Sequence, residues 1–186
     1  MDIPWGSDLA KKFITNVGLI TTNGSNGHNI MAAEWTHHIS YSPGLIAVCV
    51  CPGKVTHENI KKQKEFGISI TAEDQDAVSS VSGGYSGKEY DKITALKELG
   101  VGFYNAKKID VLMVKDVSAN FECKLVKELD IGSHTIFIGE VLEANDHNKQ
   151  PLGYHGGKYW ILEKNPEKPS DKERKRIADI VEKHKK

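Results

Sequence analysis

"VSANFECKLVKELDIGSHTIFIGEVLEAN", residues Val117–Asn145, is the stretch whose reading decides the fold. Two strand-like runs, Val117–Leu129 and His134–Asn145, flank the turn "DIGS" at Asp130–Ser133. Downstream, "YHGG" leads into one more strand-like run, Lys158–Glu163. Upstream, Val17–Thr22 reads as a strand, and "NGSNG" at Asn23–Gly27 is rich in residues that tolerate positive φ, a hairpin signal. Leu45–Cys51 is a nearly unbroken apolar run, which predicts a strand covered on both faces. "FGISIT" at Phe66–Thr71 predicts another strand. Helices are few. Thr56–Lys64 reads as a short one capped by the Thr56 hydroxyl, and a second lies around Thr94–Leu99. The rest of Glu73–Lys108, with the glycine-rich "SGGYSGKEYDK", shows no regular period. Many short strands separated by turn signals predict an antiparallel barrel rather than a βαβ sheet.

Bulk properties narrow the function classes. A chain of 186 residues fits one domain with a sizeable core, and 27% charged residues against 39% apolar ones exclude global disorder. The 25 basic residues cancel the 25 acidic ones, so no overall field draws nucleic acid or an anionic membrane. No apolar run approaches the roughly 20 residues that span a bilayer, and the start lacks the basic-then-apolar order of a signal peptide. Three cysteines make no disulfide framework, so cytoplasmic residence is expected. After Asn165 the composition turns almost wholly charged. This divides the chain into a domain at 1–164 and a helical tail at 165–186, with a capping box at Ser170 and Glu173. Ile177, Ile180 and Val181 give the tail a thin apolar stripe, read as a solvated helix or as an arm that clasps a dimer or covers a substrate.

The chemistry-bearing stretch is "NIMAAEWTHHISYSPG", Asn29–Gly44. Adjacent His37 and His38 point to opposite faces of a strand and cannot readily chelate one ion. No H-E-x-x-H or paired C-x-x-C is present, and C-x-C at Cys49 and Cys51 reads as buried free thiols, so no metal is expected. G-x-S-x-G, G-x-G-x-x-G and a glycine-loop lysine are all missing. What remains is a cradle for a phosphate-bearing cofactor. Thr36, Ser40 and Ser42 supply hydroxyls, Thr56 and Asn59 open a helix whose dipole favours an anion, and Ser82 and Lys92 flank the glycine loop.

The ordered series "NIMAAEWT", "ISYSP", an apolar strand, "KVTHENI", "EFGISI", "YDKI" and "GSHTIFIGEV" resembles the flavin reductase-like FMN-binding family, which includes flavin reductases, flavoredoxins and ferric reductases. The match runs through most of Phe13–Trp160. The resemblance implies a homodimer of six-stranded antiparallel split β-barrels, with FMN near the interface and NAD(P)H as a transient donor. It implies that Asn29, Met31, Ala33, Glu34, Trp35 and Thr36 run along the flavin ring. Ser40, Ser42, Thr56 and Asn59 would cradle the ribityl chain and phosphate, and Ser82 and Lys92 would reach the phosphate tail. His134 would lie near the flavin and the nicotinamide, as a positioning residue. The chain departs from the family's pattern at Ser133, where an aspartate is common, at Gly44, where a second proline is common, and at Glu34, usually small or hydroxylated. The activity implied is hydride transfer from NAD(P)H to flavin and onward to free flavin, a ferric complex or a redox protein. The rival is an FMN-binding electron carrier without NAD(P)H activity of its own.

Overall fold

In the computed structural model, residues 1–25, 27–164 and 166–185 are described. Asn26 of the expected hairpin turn, Asn165 at the expected domain boundary and the terminal Lys186 lie outside them. The chain begins with strands β1 (Ile14–Asn16), β2 (Gly18–Thr22), β3 (Asn29–Ala33), β4 (Thr36–Tyr41) and β5 (Gly44–Val50). Helix α1 (Val55–Gln63) leads to β6 (Glu65–Ile70), and helices α2 (Asp76–Gly84) and α3 (Lys92–Glu98) follow. Then come β7 (Phe103–Asn105), β8 (Leu112–Val114), β9 (Ala119–Ile131), β10 (His134–Asp146), β11 (Gly153–His155), β12 (Lys158–Trp160) and helix α4 (Asp171–Glu182).

The architecture is mainly β and antiparallel, as the turn spacing predicts, but the strand count differs. The main sheet has seven strands in the order β3-β2-β6-β9-β10-β5-β4 and does not close, where six strands in a barrel were expected. Five of its strands are expected runs; "NIMAAEWTHHISY" adds two, β3 and β4, parted by Glu34 and Trp35, while the expected run Lys158–Glu163 is the shorter β12 of another sheet. Separate sheets are formed by β1-β11-β12 and by β7-β8. The long ribbon of β9 and β10 turns at Gly132 and Ser133, where Gly132 takes φ +56°, a conformation a side chain would resist. Register shifts at Ile138/Gly139 and Val141/Glu143 bend this ribbon so that its base joins the core.

Alternation along β2 serves two cores at once. Ile20 packs with Val48, Val50, Ile60, Phe66, Ile68 and Phe137 inside the curved sheet. Leu19 faces the other way, onto Ile30, Val78, Ile93, Leu96 and Val114, beneath α2 and α3. Burying each such side chain contributes about 1.5–3 kcal/mol, so β2 is held from both sides. The run Leu45–Cys51 does not share this environment. Ile46, Val48 and Val50 are buried, while Leu45, Ala47 and Cys49 are only half-buried.

The helix at residues 55–63 starts one residue before the expected Thr56. Its N-cap is Lys54, no side chain caps it, and Thr56 lies inside the first turn. Helix α2 occupies a region with no visible sequence period, and the "SGG" of the glycine-rich segment is its last turn. At α4 the Ser170 oxygen accepts the Glu173 N–H, one half of the expected box, and Ile177, Ile180 and Val181 are all exposed.

Candidate functional site

Strand β3, the start of α1 and the last turn of α2 meet over a cavity lined by Asn29, Lys54, Thr56, Ser82 and Lys92. Asn29 Nδ2 donates to Thr56 Oγ1 at 2.9 Å, which leaves the Thr56 hydroxyl proton directed elsewhere. The first turn of α1, without a side-chain cap, leaves N–H groups beside the same cavity. Lys92 is 4% exposed, and its ammonium donates to the Ser82 carbonyl at 2.9 Å. Among the described residues no carboxylate stands within ion-pair distance of it. Burial, and secondarily the charge of Lys54, pull its pKa down to about 8. Beside it the Ser82 hydroxyl is buried with no hydrogen-bond partner. An unpaired buried cation and an orphaned hydroxyl at one cavity are two separate costs, and an anion with oxygen acceptors relieves both. The residues therefore fit a phosphate group.

Met31 and Lys54 also line a second cavity of about 380 Å³, so the two adjoin. Its walls include Ala32, Glu34, Trp35, Cys49, Cys51 and His134. The Trp35 and His134 rings lie 4.8 Å apart with a 49° tilt. His134 Nε2 stands 3.1 Å from Cys51 Sγ, and its Nδ1 stands 2.8 Å from Ser133 Oγ. An apolar slot with an aromatic wall, a thiol and an imidazole suits a flat conjugated ring with polar edges. Cys49 is a weaker acid than usual because it is buried.

Most residues singled out by sequence thus gather along one cleft. Asn29, Thr56, Ser82 and Lys92 stand at its anionic end, and Ala33, Glu34, Trp35 and His134 at its ring end, with Met31 between. Thr36 is buried behind, its hydroxyl donated to the Ala33 carbonyl. Ser40 and Ser42 stand apart. Ser40 pairs with Leu45 near the far end of the β4–β5 hairpin, and neither lines the cleft. Asn59 is committed elsewhere as well. Its Nδ2 donates to Thr22 Oγ1 at 3.0 Å, and its Oδ1 lies where a Cβ on Gly24 would come within 2.1 Å. It braces the β2–β3 turn from one turn further along α1. His37 and His38 are exposed on β4. Sequence reading did not assign Lys54 or Cys51 to the site, although their signals, a lysine just before a helix start and the C-x-C at the end of a strand, were visible. Among the described residues, no three His, Cys, Asp or Glu side chains group as metal ligands.

Comparison with known proteins identifies the family. The sequence model of the family described as "Flavin reductase like domain" matches residues 10–163. An uncharacterised protein of Pyrococcus abyssi is 30% identical over 75% of this chain and 77% of its own. The ferric-chelate reductase (NAD(P)H) of Archaeoglobus fulgidus is 30% identical over 67% of this chain and 72% of its own. The solved structure of the flavin reductase PheA2 in its native state superposes with a TM-score of 0.74 at 29% identity, covering 88% of this chain and 100% of that one.

Proposed function

Because the chain belongs to the flavin reductase like domain family and is a flavin reductase-like oxidoreductase, we propose that it binds FMN in this cleft, takes hydride from NAD(P)H and passes the electrons to free flavin, a ferric complex or a redox protein. The observation that carries the choice of FMN is the pairing of a carboxylate-free buried Lys92 with the orphaned Ser82 hydroxyl. That pair calls for a terminal phosphate, which riboflavin lacks. Thr56, Ser82, Lys92 and the N–H groups of the first turn of α1 hold it. Ser40, Ser42 and Asn59 take no part in this reading.

Bound flavin supplies the hydride-accepting ring. Trp35 and His134 wall the ring end, and the contacts of both imidazole nitrogens hold His134 in one orientation. Held in this way, His134 acts as a positioning residue, a fixed wall beside which the nicotinamide packs against the ring. Glu34 puts a carboxylate at the same end, which disfavours an anionic reduced ring. The same reading makes the chain a cytoplasmic homodimer with a tail, 165–186, outside the domain. It draws support from exposed Ile39 and Tyr41 on edge strand β4 and exposed Leu129 and Ile131 on β9. The test is an anaerobic visible spectrum of the FMN-loaded protein with NADH and with NADPH. Bleaching by either supports the reductase. A spectrum that stays oxidised with both makes the protein an electron carrier, and failure to retain FMN removes the cofactor assignment.

A further inference from the structure

The cleft has a third arm that the phosphate and ring sites leave unused. This cavity of about 450 Å³ opens from the ring end at Trp5, Ala32 and Glu34, which line both. Its walls are aromatic. Tyr154 and Tyr159 face each other across β11 and β12 with ring centroids 5.6 Å apart, and Trp5 of the N-terminal segment joins them. Gly83, tight against the Ala32 side chain, and Gly84, with open space before it, form one side at the end of α2. Among the described residues, Glu34 is the only charged side chain that lines this arm. Its charge, after burial, raises the pKa of the Tyr154 phenol. Lys11 lines only the smaller adjoining cavity, and Asp8 lies 3.7 Å from its ammonium.

Charge therefore changes sign along the cleft: Lys54 and Lys92 at the phosphate end, Lys54 and Glu34 together at the ring end, and Glu34 without a cation at the aromatic arm among the described residues. We infer that the aromatic arm receives the adenosine half of the nicotinamide donor, with its base against Trp5, Tyr154 and Tyr159 and its ribose hydroxyls donating to Glu34, so that the protein selects NADH over NADPH. A carboxylate offers two acceptor oxygens to a vicinal diol. A 2′-phosphate at the same place would meet that carboxylate with no cation among the described residues of this arm, a repulsive element as well as a lost contact. The inference rests on the reading that a nicotinamide donor enters this cleft, and its test is separable from hydride transfer.

Isothermal titration of the FMN-loaded protein with NAD⁺ and with NADP⁺ measures binding where no reduction can occur. NAD⁺ is expected to bind at least about tenfold more tightly, the scale of one hydrogen bond to a charged group. Glu34→Gln should narrow that ratio, and Glu34→Lys should reverse it. Equal affinities, a preference for NADP⁺, no binding of either nucleotide, or a ratio unmoved in a folded Glu34→Gln each overturns the inference. NAD⁺ preference that depends on Glu34, with no flavin bleaching by NADH, upholds it while overturning the reductase.

Discussion

Cys51 Sγ lies 3.1 Å from His134 Nε2, bridging the end of β5 to the first residue of β10 inside the ring arm of the cleft. The two other thiols are placed differently. Cys49 is half-buried and its pKa is raised, and Cys123, wholly inside the core, is pushed up to about 12. Thiolate content and access set alkylation rates, so iodoacetamide should modify Cys51 first and leave Cys123 untouched in the folded protein. Bound FMN should protect Cys51. Peptide mass spectrometry after timed quenching reads the order, and equal labelling with and without FMN would remove Cys51 from the ring site.

Lys92 gives the phosphate end its own signature. Lys92→Met should weaken FMN by roughly 10–100-fold, the scale of a charge-assisted contact, and leave riboflavin nearly unchanged. The wild type should lose the same discrimination with rising pH. Lys92 in the flavin-free protein titrates near 8, so above that pH the amine is neutral and FMN affinity declines. Fluorescence titrations with both flavins at pH 7 and pH 9.5 decide it. An FMN-to-riboflavin ratio that is constant over that range would detach Lys92 from the phosphate.

Asn59 should behave as scaffold. Its side chain joins α1 to Thr22, and removing it leaves the buried Thr22 hydroxyl without its donor. Asn59→Ala is expected to cost about 1–3 kcal/mol in urea denaturation. FMN affinity of the folded variant should stay within about twofold. A large affinity loss with unchanged stability would return Asn59 to the cofactor.

The contrast between Asn59 and Thr56 shows where sequence reading stops. Both lie near a helix start, and both have side chains that suit an anion. They differ in direction, which three-dimensional packing sets: Thr56 faces Asn29 and the cleft, Asn59 faces the β2–β3 turn. The β9–β10 hairpin was legible because turn chemistry and alternation agree over a long span. Helix α2 was not, because its run "DAVSSVSGG" has small polar residues and a glycine pair in place of a helical stripe, and tertiary contact of Val78 with the second core holds it. Glu34 and Trp35 were read as part of a polar stretch between strands, yet they are the break that creates an extra strand. Tyr154 and Trp5 gave no signal, since an aromatic cavity assembled from distant segments leaves no local pattern.

His57 provides a pH handle apart from the cleft. Its Nε2 lies 2.9 Å from Thr135 Oγ1, and the Thr135 hydroxyl donates to Asp130 at 2.5 Å, so the imidazole N–H donates to Thr135. Burial first, then Lys61, lower the His57 pKa below its ordinary 6.5, against smaller upward pulls from Asp130, Glu128 and Glu58. The unfolded chain then binds a proton at His57 before the folded one does. Stability should fall as pH drops from about 6.5 toward the folded value. Asp130, held low by the Thr135 hydrogen bond, adds its own loss further down, in the carboxylate range. Urea midpoints between pH 7 and pH 5 should decline more steeply in the wild type than in His57→Asn. Parallel declines would mean that His57 titrates alike in both states, and the relay through Thr135 would not hold it neutral.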